Sequence, residues 1–174
     1  MDNTGYGYGG LPMEKLEREI LAVLTEDCRT DAKQLSVMLG AEQAEVERAI
    51  AAMERRGTIV KYTAISNLDE EEDECVEALI EVKVTPQSGS GFDGVAEDIS
   101  RHDEVKNVYL MSGAYDFAVI VKTNSVKSVS RFISECISTF DCVLSTATHF
   151  ILKKYKIEGA LTGREKPRRL SVQA

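Results

Sequence analysis

From Leu16 onward the apolar positions recur at helical spacing. Leu16, Ile20, Leu21 and Leu24 fall on one stripe. Leu35, Met38 and Leu39 form a second, short stripe, with Asp31 placed to cap its start and Gly40 to end it. Val46, Ile50 and Met53 form a third stripe, closed by Gly57. The stretch TIVKYTAI, residues 58–65, then reads as a short strand. Three short helices with a glycine-containing turn between the second and third predict a helix-turn-helix unit, followed by a small wing or dimerising arm.

The six acids of residues 69–74 interrupt this pattern, and a run of like charges prefers solvent. Beyond them the period changes to two. Val76, Ala78, Ile80, Val82 and Val84 face one way; Glu77, Leu79, Glu81, Lys83 and Thr85 face the other. Phe92, Val95 and Ile99 give a helical stripe. VKNVYLM and DFAVIVK are two strands joined by a turn. Val126, Val129, Ile133, Cys136, Ile137 and Phe140 form a second helical stripe, and VLSTATHFILKKY is the last strand. The order β-α-β-β-α-β predicts a ferredoxin-like arrangement, so the fold class is α+β. Helices cover one face of such a sheet. The other face, with Leu79 on it, calls for a cover, most simply a second subunit.

The turn between the middle strands is SGAYD: Ser112, Gly113, Ala114, Tyr115 and Asp116. Gly113 allows a sharp bend and a close approach to the backbone. Amides around Ser112–Ala114 suit a carboxylate. Asp116 suits an ammonium group, or holds the loop by accepting backbone hydrogen bonds. The plain alternative is that Gly113 and Asp116 only shape a tight hairpin. Thr146 and Thr148 point the same way on the last strand and either line the same cleft or serve as ordinary β-branched strand residues.

Composition sets the remaining bounds. The chain has 174 residues, 43% of them apolar, enough for one large or two small cores. The expected organisation is a disordered arm at 1–12, a helix-turn-helix domain at 13–67, an acidic linker at 68–74, a ferredoxin-like domain at 75–157 and a basic tail at 158–174. No secretory or membrane-spanning pattern occurs, and a cytoplasmic protein is expected. Cys28, Cys75, Cys136 and Cys142 lack zinc spacing and read as free thiols, with a weak redox option at Cys136 and Cys142. Neither a metal nor a cofactor is expected.

The segments LEREILAVLTEDCRTDAKQLSVMLG, MERRGTIVKYTAI, ALIEVKVTPQ, VKNVYLMSGAYDFAVIV and VLSTATHFILKKYK together resemble the Lrp/AsnC family of feast/famine transcription regulators, over roughly residues 13 to 156. The more specific marks are the glycine, two-residue gap and aspartate between two strands, and the Thr-x-Thr of the last strand. The resemblance implies a DNA-binding domain joined to a ligand-sensing, oligomerising domain. It implies dimers that assemble further, often to octamers, with an amino acid or similar small molecule bound between subunits. The DNA-facing candidates are Gln43, Glu47, Arg48, Arg55 and Arg56; the ligand-facing candidates are residues 112–116 with Thr146 and Thr148.

The third helix departs from the family pattern. Glu42 and Ala44 stand where the family tends to have Ser, and Ala49 and Ala52 where it tends to have Arg. Ten acids face eight bases between Glu14 and Thr63, within a chain of formal net charge -8. Affinity for DNA rests on neutralised phosphates, so this balance favours a weaker electrostatic contribution. A metabolite-binding assembly without DNA contact is therefore the alternative. Seven bases and two acids between Lys153 and Arg169 partly offset the loss. Some relatives with this plan are haem-biosynthesis decarboxylases, but His102 and His149 are the only histidines, and no nucleophile–base pair is apparent. An enzyme is not expected.

Overall fold

The computed structural model describes residues 13–66, 75–85 and 91–162. The expected arm at 1–12, linker at 68–74 and most of the tail lie outside the described residues. The chain divides between Ala64 and Ile65 into two compact units.

The first unit holds α1 (Lys15–Glu26), α2 (Ala32–Leu39) and α3 (Gln43–Arg55). Asp31 opens α2 with a reciprocal cap. Its Oδ1 accepts from the Gln34 amide at 2.7 Å, and its own amide donates to Gln34 Oε1 at 3.0 Å. Gly40 ends α2 in the left-handed region, φ 64°, which an L side chain adopts at a cost. Ile20, Leu24, Leu35, Val46 and Met53 form the core of the unit.

Two expectations fail here. Met38 is 62% exposed. In this eight-residue helix Ala32, Leu35 and Leu39 face the core, and at roughly 100° per residue Met38 lies about a quarter-turn off their centre. Residues 58–65 form no strand. A strand needs a backbone neighbour; here the Thr58 and Ile59 amides turn back to the Met53 carbonyl, and side chains hold the segment further along. The Tyr62 hydroxyl donates to Glu54 Oε1 at 3.0 Å, and Cys28 Sγ reaches the Thr63 carbonyl at 3.7 Å.

The second unit runs β1 (Val76–Val84), α4 (Asp93–Ser100), β2 (Val105–Leu110), β3 (Phe117–Thr123), α5 (Val126–Glu135) and β4 (Val143–Phe150). The sheet order β2-β3-β1-β4, antiparallel throughout, is the ferredoxin-like topology. Ala78, Ile80, Val82 and Val84 pack with Phe117, Val119 and Val121 beneath Val95 and Ile99 of α4 and Val129 and Phe132 of α5. Phe132, not Val126, completes the α5 stripe: Phe132 lies one turn from Val129 on the buried face, while Val126 is exposed in the first turn. The helix stops at Glu135, and a short 3-10 turn, Ile137–Thr139, carries Ile137 into the core.

The opposite face has Leu79 paired with Ile120 and His149, and Glu81 paired with Ala118 and Ala147. Past β4 the chain makes a hairpin, β5 (Lys156–Ile157) and β6 (Ala160–Leu161). Its turn, Glu158–Gly159, has both φ values positive, 44° and 86°, as tight two-residue hairpins require. The expected start of the tail, residue 158, falls at this turn.

Candidate functional site

Helix α3 is held by Val46 and Met53, both fully buried, and by the partly buried Ile50. At roughly 100° per residue the ridge directly opposite carries Ala44, Arg48, Ala51 and Arg55. Glu45 lies to one side of that ridge, and Glu47 and Glu54 to the other. Arg48 is exposed and donates its Nε to the Ala44 carbonyl at 3.1 Å. Neither Arg48 nor Arg55 forms an ion pair among the described residues. Gln43 Nε2 donates to Glu47 Oε1 at 2.7 Å. The i, i+4 spacing made that contact legible in the sequence.

Arg56, expected at DNA, is engaged elsewhere. Its Nη2 donates to Glu17 Oε2 at 2.9 Å, and the Glu17 side chain is only 7% exposed. Glu17 Oε2 also accepts from the Glu14 amide at 3.1 Å. Thirty-nine residues separate the partners, so helical periodicity carried no sign of the pair. The Arg56 hydrogen bond holds the Glu17 carboxyl below its ordinary value of 4.5, against the opposing effect of burial. A depressed folded value means the pair stabilises the unit above the ordinary pKa and loses that contribution as pH falls through the folded value. The first unit should therefore lose stability below about pH 4.5, read as helical circular dichroism against denaturant at stepped pH. Glu17→Gln should lower stability at neutral pH and flatten its dependence across the acid window. An unchanged acid slope would show that other carboxylates set it.

In the second unit the chain leaves β2, makes the SGAYD turn and enters β3. Asp116 is fastened at three points. Its carbonyl accepts from the Met111 amide at 2.7 Å, its amide donates to the Val82 carbonyl at 3.0 Å, and its Oδ2 accepts from the Val84 amide at 2.8 Å. Of the two roles open to Asp116, holding the loop is therefore occupied. Residues 112–114 are exposed, and no amide from Ser112 to Tyr115 has an acceptor among the described residues. Gly113 has no positive φ, and a Cβ there would meet nothing within 4 Å. Nothing among the described residues demands glycine at 113.

Thr146 and Thr148 pair with Val82 and Ile80. They stand on the helix-covered side of an edge strand. Strand β1 separates them from β3, so roughly 10 Å of sheet lies between them and the start of β3. The chain by itself does not bring them to the turn. His149 faces the other side, its Nε2 3.4 Å from Glu81 Oε1. His102 sits edge-on to Phe132 with centroids 5.4 Å apart. The four cysteines are free, and burial raises the Cys136 thiol pKa, with Glu104 and Glu135 adding to the shift. No group of three His, Cys, Asp or Glu side chains among the described residues is arranged to hold a metal. None of the described helices is long and apolar enough to cross a membrane.

A helix-turn-helix unit followed by a ferredoxin-like unit defines a two-domain transcription regulator. The second unit matches the Lrp/AsnC ligand binding domain over residues 77–161. The uncharacterized HTH-type transcriptional regulator YugG of Bacillus subtilis is 45% identical over 150 residues, covering 86% of this chain and 90% of that protein. Among solved structures, the leucine response regulatory protein of Mycobacterium tuberculosis superposes with a TM-score of 0.70 at 18% identity, covering 87% of this chain and all of that one (100%). A transcriptional regulator of Neisseria meningitidis, solved as a complex with L-Met, superposes with a TM-score of 0.64 at 20% identity, covering 83% and 93%. The chain belongs to the Lrp/AsnC family.

Proposed function

We propose that this protein is a homo-oligomeric, sequence-specific DNA-binding regulator, tuned by an amino acid or related metabolite received at the turn 112–116. The observation that carries the effector reading is the run of amides from Ser112 to Tyr115 without an acceptor among the described residues, exposed over 112–114, around a glycine that no described residue requires. Consecutive backbone N–H groups make a seat for a carboxylate. The L-Met complex of the Neisseria relative supports an amino acid as the class. The second copy is supported by the sheet face turned away from α4 and α5, where Leu79, Ile120, Ala118 and Ala147 lie among Glu77, Glu81, Lys122 and His149. Apolar area mixed with both charge signs suits a self-complementary contact. In this reading cytoplasmic DNA is the partner of α3, and dimers assemble further, to an octamer or a similar even number.

A second reading keeps the sensor and assembly without DNA contact. It is favoured by Glu42 at the cap of α3 and Glu45 and Glu47 in its first half. One experimental series separates the two. Light scattering at micromolar concentration should give an even-numbered oligomer. A mobility-shift assay on the DNA upstream of the protein's own gene should show a complex whose affinity changes when an amino-acid mixture is added. A monomer rejects the assembly. An oligomer that shifts no DNA while giving heat with an amino acid in calorimetry selects the second reading.

A further inference from the structure

We propose that Gln43 and Glu47 form a base-reading pair that selects a base with an exocyclic amino group, cytosine ahead of adenine. The inference rests on the DNA-binding reading of α3. It asks what the acids of that helix do there rather than counting them as repulsion.

Four exposed acids lie at α3, Glu42, Glu45, Glu47 and Glu54, and among them Glu47 is held by a side chain of its own helix, Gln43. Glu17 is neutralised by Arg56, and Glu54 accepts from the Tyr62 hydroxyl. Glu47 is exposed, and no cation pairs with it among the described residues. It is nonetheless held: the neutral Gln43 amide fixes Oε1 at 2.7 Å and leaves the negative charge in place. An oriented, unneutralised carboxylate on a recognition helix is an acceptor with a set direction. Ala44 and Ala51 lie beside it on the outward ridge, and their small side chains let the backbone of α3 come close to a groove floor. Arg48 is next in sequence, exposed and without an ion pair among the described residues, and supplies the positive charge that keeps a phosphate-lined groove attractive.

The chemistry then restricts the base. A carboxylate only accepts hydrogen bonds. In the major groove cytosine presents an N4 amino donor, and adenine an N6 amino donor beside the N7 acceptor. Guanine and thymine present acceptors where the carboxylate would lie, so they leave it desolvated and unpaired. Cytosine ranks above adenine because it sets no acceptor of its own beside the amino group. Discrimination at a well-made contact of this kind is roughly 5- to 150-fold.

The test is selection from a randomised duplex library with full-length wild type, Glu47→Ala and Glu47→Gln, followed by affinity measurement on single-base variants of the enriched site. Glu47 is exposed, so neither substitution disturbs the core. Wild type should enrich cytosine at one position per half-site. Glu47→Ala should lose the preference there and nowhere else, with overall affinity equal or higher at low salt. Glu47→Gln should move the preference toward adenine, whose N6 and N7 suit an amide. If wild type enriches a site and Glu47→Ala enriches the same site unchanged, the base assignment is overturned while DNA reading stands. If wild type binds no duplex, or binds without enriching any sequence, DNA reading by α3 fails and takes the assignment with it.

Discussion

Asp116→Ala should lower the stability of the ferredoxin-like unit by about 1.5–3 kcal/mol, the range for losing a hydrogen bond to a charged group. The reason lies in how β1 ends. The β1–β3 register closes at Val82 and Phe117, and the β1–β4 register shifts between Lys83 and Val84. The Val84 amide, two residues beyond the last β1–β3 pair, is taken by Asp116 Oδ2 at 2.8 Å. The side chain thus extends the ladder by one bond where the backbone cannot. Alanine leaves that donor without a partner. Asp116→Asn keeps an acceptor oxygen and loses only the charge, so it should cost less, because charge-assisted bonds are roughly twice as strong as neutral ones. Thermal unfolding of the three proteins checks the order wild type, Asn, Ala. Equal midpoints would show the bond to be idle. Gly113→Val gives the contrasting case. Its backbone has no positive φ and its Cβ position is open, so the fold should hold. Any effector response that depends on carboxylate access to the amides of 112–115 should be lost.

The contrast between those two positions marks what a sequence discloses. Periodicity made both units legible, because an alternating strand and an i, i+4 helix advertise their buried faces in single residues. Leu79 on the uncovered face and Asp31 at a helix start follow from local rules and stand in the structure as expected. Three matters were not legible, for three physical reasons. Asp116 had two roles open to it, and only the distant amide of Val84 decides that one is filled. The Arg56 ion pair was hidden because its partner Glu17 lies on another helix, beyond any local spacing rule. Residues 58–65 have strand composition, yet composition does not supply a neighbouring backbone, and their strand is absent. Local propensity stops where long-range pairing decides.

The Arg56–Glu17 pair makes the second large effect sharper. On α3 the guanidinium groups without an ion pair among the described residues are Arg48 and Arg55, seven residues apart on the ridge opposite Val46, Ile50 and Met53. The double variant Arg48→Ala, Arg55→Ala should flatten the log–log dependence of affinity on salt by about 2 units per subunit bound, at about 0.9 per phosphate contact released. Where either arginine touches a base, the cost should be about 1–3 kcal/mol, with preference relaxed at that position. Arg56→Ala should behave differently. It leaves Glu17 almost buried and unpaired, so it should lower the unfolding midpoint of the first unit while the salt slope of the folded protein stays as in wild type. Affinity measured from about 50 to 200 mM salt, with unfolding followed in parallel, separates the two arginine roles. An unchanged slope in the double variant would remove the α3 ridge from the DNA contact. A flattened slope in Arg56→Ala, with its folding intact, would show that the guanidinium leaves Glu17 for a phosphate on binding.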